Sequence, residues 1–245
     1  MNLLRKVTGD FRRLLLATLF FGAPSGIFLS TLNNYLSDVH EFDAGHRGWL
    51  ELPRELPGFL IFFIMGLMLL RFRESRIAAL AMVFTAAGAL GLGFLSGGMA
   101  WLVFFIVIWS LGDHIIFAVE GPLGLKLAKR GGEGRRLGQL GGARNLGTIL
   151  GVSAVWLTAR FMGDRYDLFF LFGAVCATAA GVFYLRLQLG KLDLPNRANI
   201  TIAAEHDRAR ARRALIQCQH EVAHGPPSKR LAAGIAPGND PRAAP

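Results

Sequence analysis

Apolar residues in this chain are clumped rather than alternating with polar ones. Stretches of about 20 residues with few or no charges recur, the length at which a helix rising about 1.5 Å per residue crosses a hydrocarbon core of roughly 30 Å. The runs Leu14 to Leu36, Trp49 to Leu70, Ile77 to Ser96, Met99 to Leu125, Leu137 to Phe161 and Tyr166 to Leu189 predict six transmembrane helices, and hydropathy collapses after Leu189. The expected fold class is all-α: a polytopic membrane bundle over residues 14–189, an amino-terminal segment 1–13 before it, and a basic tail 190–245 after it. The first run follows Arg5, Lys6, Arg12 and Arg13 as the core of a signal peptide would. It is too long for one, and Asn33-Asn34-Tyr35 offers no small-residue cleavage site, so it reads as a retained span.

Loop charge orients the spans, because short loops rich in lysine and arginine stay cytoplasmic. Arg5, Lys6, Arg12 and Arg13 precede the first span, Arg71, Arg73 and Arg76 follow the second, and Lys126, Lys129, Arg130, Arg135 and Arg136 follow the fourth. The alternate loops offer only Arg47 among Asp38, Glu41 and Asp43, then Gly97-Gly98, then Arg160 and Arg165 beside Asp164 and Asp167. The expectation is a multi-pass protein of the cell membrane with both termini in the cytoplasm.

Composition narrows the function. The net charge of +10 sits in short clusters between apolar runs and in the tail, without interleaved aromatic residues, which argues against nucleic-acid binding. Cys176 lies in a predicted span and Cys218 in the tail, so no disulfide framework is implied. The tail reads as a largely disordered segment with a short basic helix around Ala203 to Leu215. His220 and His224 stand four apart with Cys218 nearby, but Gly225-Pro226-Pro227 argues against a helix aligning them, and no metal or other cofactor is expected.

Ionisable residues inside spans cost roughly 2.5 to 3.5 kcal/mol each on insertion scales, so they point to a cavity or a partner. Glu51, Arg54 and Glu55 share one face near the start of the second span, beside Pro53 and Pro57 in its first turns. They read as a self-neutralising interfacial cluster or as an outer gate. Asp113 and His114 fall near the middle of the fourth span, with Glu120 two turns on, material for a proton relay or a substrate contact. Arg144-Asn145 lies in the fifth span at the depth of Glu120 if the two spans form a hairpin, so an ion pair between Glu120 and Arg144 is expected. Asn33 and Asn34 complete the expected substrate or proton pathway. Gly138, Gly141, Gly142, Gly147 and Gly151 mark the fifth span for close helix packing.

Six spans, cytoplasmic termini and a short basic second loop resemble the amino-terminal half of a major facilitator superfamily transporter, over Leu14 to about Leu189. Gly66, Arg71 and Arg76 match that family's cytoplasmic loop motif, while Leu70 and Arg73 stand where an aspartate and a glycine are expected. The resemblance implies two six-helix halves with the substrate between them, whereas only one half is present. Two readings stay open. Either the chain pairs with itself or with a second six-helix half, or it is a truncated or frame-shifted product whose Ala-, Arg-, Pro- and His-rich tail is out-of-frame sequence.

The leading functional expectation is secondary transport of a small solute by alternating access, with proton coupling through Asp113, His114 or Glu120 as one form of it. The alternative is a non-transporting membrane scaffold or partner subunit whose basic tail binds anionic lipid or another protein. No GxSxG, no histidine pair at metal spacing within a span and no paired catalytic aspartates are present, so an enzyme is not expected.

Overall fold

The computed structural model describes residues 2–128 and 131–188, and all of its regular structure is helical. Six helices follow one another: α1 (Asn2–His40), α2 (Ala44–Arg71), α3 (Glu74–Phe94), α4 (Met99–Lys126), α5 (Glu133–Met162) and α6 (Tyr166–Leu185). α1, α2, α3, α4 and α6 are each long and apolar enough to cross a membrane. α5 contains the expected span Leu137 to Phe161 and is 30 residues long, but its polar amino-terminal half makes it the least apolar of the six. The expectations for residues 190–245, including the short basic helix and the Cys218, His220 and His224 grouping, lie outside the described residues, as do Lys129 and Arg130.

Most boundaries fall within four residues of the hydropathy reading, and the starts of α1 and α2 differ by more. α1 begins at Asn2, so residues assigned to a separate amino-terminal segment continue the first helix. α2 begins at Ala44 rather than Trp49, because the Asp43 carboxylate caps it by accepting from the His46 backbone N–H at 2.8 Å. Pro53 and Pro57 therefore sit inside α2 and not in its first turns. Each leaves one carbonyl four residues earlier without its helical donor.

Neighbours in sequence are joined by short connections, but of these only α3 and α4 are packed extensively among the described residues. α1 packs mainly on α5 and α6, α3 on α4 and α6, and α2 on α4. The α1–α5 contact is made backbone to backbone: a Cβ on Gly22 or Gly26 would strike the carbonyls of Arg144 or Thr148, and one on Gly147 or Gly151 those of Leu19 or Ala23. Two glycine pairs four residues apart, one on each helix, thus face each other. Of the five α5 glycines expected to pack, Gly138, Gly141 and Gly142 meet nothing. Behind this pair α3 and α6 meet through Ala86, Ala89, Ala174 and Ala177.

The interior is divided along the helix axes. One apolar cluster, including Leu14, Phe21, Ile77, Met82, Ile115, Leu123 and Tyr184, occupies the end that carries the amino terminus. A second, including Leu32, Leu36, Leu50, Leu92, Ile106 and Phe170, occupies the other end. Between them lie residues 22–27 of α1, 54–58 of α2 and 110–114 of α4, where Ser25, Arg54, Glu55, Ser110, Asp113 and His114 are found. On the outside, Phe59, Phe62, Phe63, Leu70 and Phe161 are largely exposed, as suits a bundle embedded in a membrane.

Candidate functional site

The polar layer opens into a cavity of about 410 Å³ walled by α1, α2 and α4. α1 contributes Ser25, Phe28, Leu29, Leu32 and Asn33, the i, i+3, i+4, i+7, i+8 pattern of a single helical face. α2 contributes Glu51, Arg54 and Glu55, and α4 contributes Trp109, Ser110, Asp113, His114 and Phe117.

Charges from α2 and α4 meet here. The Arg54 guanidinium pairs with Glu51 at 2.6 Å and with Glu55 at 2.9 Å, and the second Glu55 oxygen lies 3.4 Å from His114 Nε2. The Ser110 hydroxyl donates to the Arg54 carbonyl at 2.5 Å and so ties α4 to α2. A Cβ on Gly58 would overlap the His114 ring, so the missing side chain is what lets the imidazole lie against α2. The Glu51, Arg54 and Glu55 group thus lines the same cavity as Ser110 and His114, and because α2 starts at Ala44 these residues lie about 7 Å further from its beginning than a start at Trp49 implies.

His114 Nδ1 lies 2.9 Å from the Ser110 carbonyl and 3.1 Å from the Ser110 hydroxyl. Nε2 faces the Glu55 carboxylate, so the imidazole links Ser110 of α4 to a carboxylate of α2. Asp113, partly buried on the neighbouring position, accepts from the Ser25 hydroxyl at 3.4 Å and from no other group among the described residues.

Glu120 and Arg144 form the expected ion pair across α4 and α5. Glu120 is 2% exposed and Arg144 27%, and the guanidinium rests over the Phe117 ring at 4.7 Å from its centroid. Phe117 lines the cavity and carries the guanidinium over its ring, while Glu120 and Arg144 are not among the described residues that line it. Asn34 and Asn145 are exposed and away from the cavity. Each is one residue, about 100° around its helix, from a position that faces inward: Asn33 in α1 and Arg144 in α5. Gly66, Arg71 and Arg76 are exposed at the far end of α2 and the start of α3, remote from this layer.

Ser25, Ser110, Phe28, Trp109 and Phe117 are wall residues that charge-based reading passes over. Their signal was spacing: Ser110 is four residues before His114, Trp109 and Phe117 stand four on either side of Asp113, and Ser25 is eight before Asn33. Among the described residues no three His, Cys, Asp or Glu side chains converge as metal ligands would. Comparison with known proteins finds no matching family model, no similar curated protein and no similar solved structure.

Proposed function

We propose that these six helices cross the membrane as one six-helix half of a secondary transporter of major facilitator type, moving a small solute by alternating access with proton coupling. The carrying observation is the cavity between α1, α2 and α4, placed at the level where two apolar clusters give way to a charged layer. α5 serves as the sixth span: its 30 residues extend about 45 Å, and its one central charge, Arg144, is answered by Glu120. The basic ends of α1, α2, α4 and α5 support a cytoplasmic side for both termini.

Coupling rests on the His114 and Glu55 pair, which holds a proton that a change in helix position can release. Closure requires a second bundle. Glu51 and Glu55 are 54% and 44% exposed at this depth, and each would cost roughly 2.5 to 3.5 kcal/mol against hydrocarbon. A second copy or a second six-helix half covers them and leaves water between the two. The reading is tested by placing single cysteines at Ser25 and Asn33 in a chain carrying Cys176→Ala and Cys218→Ser. A membrane-impermeant maleimide should reach both positions, from opposite sides of the membrane in turn. Silence at both positions from both sides would remove the transport reading.

A further inference from the structure

We propose that the α1, α2 and α4 cavity binds an organic cation, a protonated amine or a quaternary ammonium ion, with Asp113 as its counter-charge and Trp109 and Phe117 as its walls. The proposal names the solute class for the transport site above and rests on that reading for its membrane setting.

The cavity's charges explain why. Arg54 is held by Glu51 and Glu55, and Glu55 is also turned to His114. Beyond Phe117, Arg144 is taken by Glu120. Asp113 remains with one hydroxyl partner, Ser25, and among the described residues it makes no ion pair. The three carboxylates of the wall, Glu51, Glu55 and Asp113, outnumber its cations whether or not His114 is charged. An anion would meet that excess, and Arg54, the guanidinium among the described lining residues, is already paired twice.

The walls select further. Trp109, Asp113 and Phe117 stand four residues apart, which sets a carboxylate between two aromatic rings on one face of α4. Phe28 stacks on Trp109, with centroids 3.5 Å apart and planes 5° from parallel, and holds the indole in place. Ring faces attract cations and shed the hydration of small inorganic ions poorly, so they suit a cation that carries its own apolar groups. A sugar-like solute would need many polar partners, but the Ser110 hydroxyl is already spent on the Arg54 carbonyl. A volume of about 410 Å³ lies within the usual range for a small organic ligand.

The test uses the full chain purified in detergent, equilibrium dialysis, and radiolabelled benzyltrimethylammonium, with benzoate and benzyl alcohol as anionic and neutral counterparts. Saturable binding of the cation alone is expected. Asp113→Asn should weaken it about tenfold or more, Asp113→Glu should retain most of it, and Phe117→Ala should weaken it by a few-fold. Should Asp113→Asn not fold, as judged by circular dichroism and size exclusion, the Phe117→Ala result and competition by sodium chloride decide. Binding of benzoate but not the cation, cation binding indifferent to Asp113→Asn and Phe117→Ala, displacement by sodium ions at equal ionic strength, or no binding at all would each overturn the proposal. Cation binding without flux in proteoliposomes would remove the transport reading and leave this one standing. Flux of an anion without cation binding would do the reverse.

Discussion

Replacing Arg144 by alanine leaves the Glu120 carboxylate buried between helices with no counter-charge. Glu120 is 2% exposed, so water cannot reach it in place of the guanidinium. Breaking a buried pair from one side costs roughly 3 to 5 kcal/mol, and the cost falls on the more deeply buried partner left behind. Arg144→Ala is therefore expected near the upper end of that range. Glu120→Ala strands a guanidinium that is 27% exposed and lies over Phe117, and should cost less, about 2 to 3 kcal/mol. The double change removes both charges and should cost less than Arg144→Ala alone, with a coupling energy of about 2 kcal/mol or more between the sites. The assay is reversible unfolding in mixed micelles followed by far-ultraviolet circular dichroism, for the parent chain, both single variants and the double variant. Single effects that are equal and simply additive would refute the reasoning, because they would mean that neither charge depends on the other.

Gly22→Val or Gly147→Val should break the α1–α5 contact and lower the thermal midpoint of the purified protein by many degrees. Gly138→Ala and Gly141→Ala, in open space, should leave it unchanged or slightly higher. His114→Asn should abolish solute-driven proton movement, read with a pH-sensitive dye inside proteoliposomes, while leaving solute binding largely in place; proton movement at the parental rate would deny His114 its role. The Asp43 carboxyl is held below its ordinary value, chiefly by the His46 backbone N–H that it caps. Its unfolded form thus binds the proton more readily, so its contribution is present above the ordinary carboxylate pKa and fades as pH falls through the native value. The thermal midpoint difference between the parent chain and Asp43→Ala should accordingly be full at neutral pH and vanish in strong acid, whereas a difference independent of pH would exclude the charged cap.

Much of the architecture was legible because a membrane turns helix length into composition. Apolar runs about 20 residues long marked five of the described helices outright, and the sixth, α5, through the run Leu137 to Phe161. The Glu120 and Arg144 pair was legible for a related reason: residues equally far from one connection on two antiparallel helices lie at one depth. The site was less legible. The extra turn at the start of α2 depends on a cap, Asp43, that hydropathy does not register, and without it Glu51, Arg54 and Glu55 are counted five residues too close to the helix start. Asn34 and Asn145 show the second difficulty, since hydropathy gives depth but not rotation, and a step of one residue turns a side chain away from the cavity.

The amino-acid sequence alone determined how many long helices form, where their charges lie along each axis, and which basic ends gather on one side. These follow from hydropathy and helical rise, which are local properties. Only the tertiary structure decided that α1 lies against α5 through facing glycines, that Glu55 meets His114, and that Asp113 stands beside Trp109 and Phe117 without an ion pair among the described residues. Those outcomes depend on the rotation and register of helices far apart in sequence, which are set by the fit of small side chains and by the need to pair buried charge.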